Sequence, residues 1–230
     1  MQRKYKEAGS TDAELCKKIT YMELSKALLW RYATKAMNGQ RVDDDKIERI
    51  LEAIRYAPTC NGLQPFEVIV VTNPELRKRI RPVANNQPVV TDSSHLLIFA
   101  AWDNVTEERI NQVFENVTNV RGDYQGVESY RQWLIDTHTA NTKETNFNHA
   151  ARQAYIALGF GLLTAASEMV DTTPMEGFDP AAVDELLELN KKGLRSVAMM
   201  AIGYRDVPND WLVGMKKVRK QKSTLFTELN

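Results

Sequence analysis

The sequence predicts an α+β fold with a three-layer α/β/α core. Three observations carry that expectation. Three apolar runs read as strands: Phe66–Val71, rich in β-branched residues, and the buried runs His95–Ala101 and Leu194–Tyr204. Segments with helical apolar spacing stand before, between and after them. Their order is not a regular strand–helix alternation, which argues against a doubly wound parallel sheet.

The elements follow in chain order. Residues 1–21 read as a charged extension that includes Arg3, Lys4, Lys6, Glu7, Lys17 and Lys18 and lacks the apolar stretch of a secretory signal. Met22–Trp30 reads as a short amphipathic helix that ends at a cationic cluster, Arg31-Tyr32-Ala33-Thr34-Lys35. Asp43, Asp44 and Asp45 supply caps and a dipole match for the next helix, whose apolar face is Ile47, Ile50, Leu51 and Ile54. Pro58 stops it, and a polar loop over Thr59–Gln64 leads into the first strand.

Pro74 opens a helix through Ile80, and Asn85–Pro88 is a loop. Thr106–Asn119 and Val127–Thr139 read as helices around a turn at Arg121-Gly122-Asp123, a helical excursion over residues 105–145. Asn148–Met169 is the most apolar long helix, so it is expected at the centre or at a subunit contact. Its Gly159 and Gly161 predict close backbone packing. Pro174–Asp179 is expected to be a tight loop, with Asp179 capping a helix to Leu189. The tail from Pro208 carries a second cationic cluster, Lys216-Lys217-Val218-Arg219. Thr224–Leu229 reads as an extended apolar segment suited to docking on a sheet edge, including that of another chain.

Composition removes several functions. Lys+Arg and Asp+Glu both number 30, so no overall basic field favours nucleic acid. Apolar runs such as Leu96–Trp102 are far too short to span a bilayer. Two cysteines, Cys16 and Cys60, fit a reduced, cytosolic protein. No G-x-G-x-x-G follows a strand, no Walker A sequence is present, and His95, His138 and His149 lack metal-ligand spacing. Cys60 has no histidine placed to activate it as a nucleophile. What remains is two cationic clusters far apart in sequence and a polar loop before a strand. That is the arrangement expected where a phosphate-bearing cofactor is gripped from both ends of the chain, Arg offering a planar fork to the phosphate.

On these residues the chain resembles the nitroreductase family of FMN-dependent oxidoreductases, over residues 22–230. The features are the helix before Arg31-Tyr32-Ala33-Thr34-Lys35 and the run Ala57-Pro58-Thr59-Cys60-Asn61-Gly62-Leu63-Gln64-Pro65-Phe66, similar to the family's Ala-Pro-Ser-Ser-x-Asn-x-Gln-Pro-Trp. With them come Pro174-Met175-Glu176-Gly177-Phe178, Gly203-Tyr204-Arg205 and Lys217-Val218-Arg219. The resemblance implies a mixed, mostly antiparallel sheet completed by the partner's C-terminal strand. It also implies a homodimer with two FMN sites at the subunit interface.

It further implies residue roles. Arg31, Lys217 and Arg219 would hold the FMN phosphate, with Tyr32 and Ala33 in the same binding segment. Lys35 and Asn86 would meet the pyrimidine edge of the ring. Thr59, Cys60 and Asn61 would come from the partner chain, with Pro58 and Gly62 as cofactor-binding residues of the same loop, and Gln153 would reach the ribityl chain. Pro174, Glu176 and Gly177 would present backbone N–H groups toward flavin N5, with Met175 a cofactor-binding residue beside them. NADH or NADPH would reduce the flavin, which would pass hydride to a nitroaromatic, quinone or related small planar acceptor in a ping-pong cycle. Tyr130–Asn141 would form part of a lid. A flavin or pteridine reductase, a flavin-binding protein without turnover and a cofactor-free helical interaction protein stand as alternatives. Ala33, Gly62, Phe66 and Val89 depart from residues common in the family, which bears on flavin affinity and potential.

Overall fold

The computed structural model describes residues 23–229, so the charged extension and the expected helix start at Met22 lie outside it. Helix α1 (Leu24–Trp30) and helix α2 (Asp44–Arg55) precede strand β1 (Phe66–Val71). Then come α3 (Pro74–Val83), the single turn α4 (Val89–Asp92) and β2 (His95–Trp102). The helical pair α5 (Glu107–Arg121) and α6 (Val127–Thr139) leads into the long α7 (Lys143–Ser167). Strand β3 (Asp171–Met175), α8 (Pro180–Leu186), β4 (Leu194–Gly203) and the turn α9 (Lys222–Leu225) complete the chain.

The sheet runs β1-β2-β4-β3, with every neighbour antiparallel. The sheet is mostly antiparallel as expected, and among the described residues the parallel pairing is one isolated bridge, Ala33 with Thr172. The expectation of three strands is corrected. Pro174 and Met175, expected in a loop, end β3, a fourth strand whose Asp-Thr-Thr-Pro-Met sequence has no apolar alternation. It is an edge strand, the position where a missing N–H does least harm to the ladder.

Side chains alternate across the sheet with period two. Leu97 and Phe99 of β2 join Ala198, Met200 and Ile202 of β4 beneath α2 and α7. Leu96 and Ile98 join Met199 and Ala201 beneath α3 and α8. Helices on both faces explain why β2 reads as an unbroken apolar run. Gly161 lets α7 approach the core: a Cβ there would lie 3.0 Å from Ile54 Cδ1 and 3.2 Å from Met200 Cε. Gly159 has open space instead, so only one of the two glycines has the packing role expected of both.

The α5–α6 pair has its own apolar cluster, with Ile110, Phe114, Leu134 and Ile135 closing over Leu63. Asp43 holds the N-cap position of α2 without a side-chain bond, its carbonyl taking the Lys46 and Ile47 N–H groups instead. At the C-terminus, Thr224 and Leu225 belong to a helical turn rather than to an extended segment, and the backbone becomes extended at Phe226.

Candidate active site

Arg31 lies just past the C-terminus of α1, where its N–H caps the helix on the Ala27 carbonyl. The tail returns to this point, and the Lys217 ammonium donates to the Arg31 carbonyl. Arg31, Lys216, Lys217, Arg219 and Arg205 line one cavity of about 700 Å³ with Trp30, Tyr32, Ala33 and Pro174, and its lining contains no carboxylate. Clusters 185 residues apart in sequence therefore face one hollow.

The electrostatics of this wall are those of a site lacking its counter-charge. Arg31 Nε is buried and has no hydrogen-bond partner. Burial first, and then Arg219, holds the Arg31 guanidinium below its ordinary pKa. Burial, then Arg31, Arg219 and Arg205, does the same to Lys217. An unpaired buried donor costs free energy until something accepts from it. A phosphate monoester fits, since it brings acceptor oxygens and nearly two negative charges. The residues present thus suit the phosphate end of FMN.

Arg205 has a partner of its own. Its Nη2 lies 2.6 Å from Oδ1 of Asp171, which is 3% exposed, and its guanidinium is stacked between Trp30 (4.3 Å) and Tyr32 (4.7 Å). Asp171 also takes the Thr34 hydroxyl at 3.2 Å and the Arg205 N–H at 2.9 Å. Tyr32 in turn donates to Asp210 at 2.8 Å, and its hydroxyl is pushed up to about 12 by burial and by that bond. This network ties the cavity-lining Tyr32 and Arg205 to two carboxylates outside the lining. Sequence reasoning missed Asp171 and Asp210 because neither stands in a motif, and it quoted Arg205 without a role.

Beyond Pro174 lies a second hollow of about 430 Å³, lined by Tyr155, Leu158, Pro174, Met175, Glu176 and Ala198. Pro174 borders both cavities. Tyr155 donates to the Val197 carbonyl at 3.0 Å, where the β2–β4 register slips. Its hydroxyl is pushed up to about 12, by burial first and then by the Glu176 carboxylate. Nothing in the sequence singled out Tyr155. Glu176 and Gly177 are exposed just beyond β3 and offer backbone N–H groups, whereas Pro174 has none and cannot donate.

The loop holding Asn86 packs against this segment. Gln87 donates to the Gly177 carbonyl at 2.9 Å, and a Cβ on Gly177 would lie 3.0 Å from Asn85 Nδ2. Asn85 and Asn86 both have φ of 52°, left-handed backbone that asparagine tolerates. Lys35 is exposed, with its backbone N–H held by Asp210 at 3.0 Å. Val89 is buried among Met37, Ile80 and Val90, so this departure from the family places an apolar side chain in the core.

Pro58, Thr59, Cys60, Asn61 and Gly62 do not line the cation cavity of their own chain. The Cys60 N–H donates to Gln153 Oε1 at 2.8 Å, and Gln153 Nε2 donates to the His149 carbonyl at 3.2 Å. Gln153 thus anchors the Cys60 loop, keeping one Nε2 hydrogen and one oxygen lone pair for anything else. Asn61 accepts from the Tyr130 hydroxyl at 3.1 Å, and Tyr130 stacks on Trp133 at 5.7 Å. The loop therefore sits beside α6, an aromatic face, and Cys60 is an exposed free thiol.

Comparison with known proteins agrees with this geometry. Residues 28–204 match the model of the nitroreductase family. The Bacillus subtilis protein YfkO, assigned as an NAD(P)H nitroreductase, is 32% identical over 190 residues, covering 76% of this chain and 86% of its own. The oxygen-insensitive NAD(P)H nitroreductase of Salmonella typhimurium is 26% identical over 220 residues, covering 90% of this chain and all of its own. A crystal structure of an assigned nitroreductase from Exiguobacterium sibiricum, in complex with FMN, superposes with a TM-score of 0.78 at 17% identity, covering 92% of this chain and 99% of that one. Antiparallel sheet, cation cavity and sequence match converge on one conclusion: the chain belongs to the nitroreductase family of oxidoreductase enzymes.

Proposed function

We propose that the chain is an FMN-dependent oxidoreductase that uses NADH or NADPH to reduce a small planar acceptor such as a nitroaromatic or a quinone. The observation that carries this reading is the acid-free cavity at Arg31, Lys217 and Arg219, with a buried guanidinium Nε left unpartnered. The names of the relatives and the FMN held by the Exiguobacterium protein support it. When bound, FMN supplies the hydride chemistry, alternating between nicotinamide and acceptor in a ping-pong cycle.

The chain's own residues bind, orient and enclose. Arg31, Lys217 and Arg219 would hold the phosphate through charge-assisted bonds, with Tyr32, Ala33 and Pro174 as walls. The Lys35 ammonium and the Asn86 carboxamide would serve the polar edge of the ring, a cation there favouring the reduced, anionic form. The N–H groups of Glu176 and Gly177, both exposed residues, would donate near the reacting atom. The stacked Tyr130 and Trp133 on α6 suit a planar acceptor.

The reading includes a homodimer. Pro58–Gly62 stands at α6 and α7 in its own chain, so it would complete the site of a second copy. Exposed apolar side chains on α1 (Leu24, Leu28, Leu29), α7 (Ile156, Phe160) and the tail (Leu225, Phe226, Leu229) offer the surface for that contact. The tail would complete the partner's sheet edge. Residues 22–230 would form one FMN-binding domain with α5–α6 as its excursion. No helix among the described residues is long and apolar enough to cross a membrane. A cytosolic location is part of the proposal, supported by the unpaired Cys60.

The test is anaerobic mixing of the FMN-loaded protein with NADH and with NADPH, followed by a nitroaromatic or quinone. Bleaching of the flavin absorbance, then its return with the acceptor, is the expected result. Bound flavin that neither nicotinamide bleaches would leave a binding protein without turnover.

A further inference from the structure

The cations of the anion site repel one another, yet the C-terminal arm that carries three of them lies against the Arg31 loop. Asp210, 4% exposed, is placed to hold it there. Its Oδ2 accepts from the Tyr32 hydroxyl at 2.8 Å and from the Lys35 N–H at 3.0 Å. Its Oδ1 accepts from the Leu212 N–H at 3.0 Å. Its own N–H donates to the Asp206 carbonyl at 2.8 Å, and the Asp206 N–H donates to the Ala36 carbonyl at 2.9 Å. One carboxylate thus ties two residues of the Arg31–Lys35 loop to the turn that launches Lys216–Arg219.

We propose that Asp210 is the positioning residue of the anion site: it latches the C-terminal cationic arm to the N-terminal cationic loop, so that both face one phosphate. It touches neither phosphate nor ring and acts through Tyr32 and the Lys35 backbone. This rests on the proposed FMN function.

Charge and geometry predict opposite signs for its removal. Asp210→Asn deletes a negative charge beside a cation cluster. If Asp210 acted through its charge alone, anions would bind more tightly in the variant. If it acts as a latch, they bind more weakly, because an asparagine nitrogen would face an N–H that the carboxylate had accepted.

The test is titration of the apo-protein with FMN and with riboflavin, read by flavin fluorescence. For Asp210→Asn the FMN dissociation constant is expected to rise about tenfold, while that for riboflavin changes less than about threefold. Tyr32→Phe removes one contact and keeps its ring beside Arg205, so FMN is expected to weaken about threefold. A merely structural role would move both ligands together. Tighter or unchanged FMN binding, or parallel weakening of FMN and riboflavin, overturns the latch. If Asp210→Asn fails to fold, as circular dichroism would show, Tyr32→Phe decides, and unchanged FMN affinity there overturns it. A wild-type protein that binds no FMN overturns the proposed function itself, and that result is seen before any variant is made.

Discussion

Arg31→Met offers a test in which stability and binding should move in opposite directions. Methionine keeps an unbranched apolar stem and removes the guanidinium whose Nε is buried without a partner. Without ligand, Arg31 is a partly buried cation beside Arg219 and Lys217. Like charges about 4 Å apart repel by on the order of 1 kcal/mol where water screens them fully. The apo-variant should therefore be as stable as the wild type or more so by about that amount. With FMN the balance reverses. A hydrogen bond from a charged group contributes about 1.5–3 kcal/mol, which converts to a dissociation constant about 10–100-fold higher. Riboflavin lacks the phosphate, so its affinity should change less than about threefold. Urea unfolding of the apo-proteins and calorimetric titration with both flavins measure all three quantities. Equal weakening of the two flavins, or an apo-variant less stable by more than about 1 kcal/mol, would refute the reasoning.

Arg205→Ala leaves the Asp171 carboxylate buried without its cation, and should destabilise the chain by about 3–5 kcal/mol, read as a lower urea midpoint. Burial, then His138 and Arg152, holds the His149 imidazole below its ordinary 6.5, so the unfolded chain takes up the proton first as pH falls through that value. Stability should therefore fall on acidification from neutral pH to about 5, and His149→Gln should flatten part of that slope, measured as urea midpoints across pH. In a Cys16→Ser background, saturating FMN should slow alkylation of exposed Cys60 several-fold if its loop completes a partner's site. Equal rates with and without FMN would place the loop outside that site.

Legibility in the sequence followed the physics of each element. Strand β2 and the β4 run were readable because helices cover both faces of the sheet, leaving unbroken apolar stretches. Strand β3 was not, because an edge strand of Asp, Thr, Thr, Pro and Met has neither alternation nor β-branched apolar content. The cationic clusters were legible as charges, and a family resemblance related them. Their facing one cavity depends on how the tail turns through Asp206, Asp210 and Leu212, contacts that no local pattern encodes. The family resemblance implies a cofactor contact for Gln153, and a glutamine buried on an apolar helix needs a partner. The partners it has in its own chain are the Cys60 N–H and the His149 carbonyl. Tyr155 stayed hidden because its relation to Glu176 crosses from a helix to the end of an edge strand.

The most direct measurement is identification of the chromophore carried by the purified protein. Heat release followed by mass spectrometry should yield FMN at close to one molecule per chain, with no riboflavin. A colourless chain that takes up riboflavin as readily as FMN, or takes up neither, would contradict the assignment of the Arg31–Lys217–Arg219 cavity to a flavin phosphate.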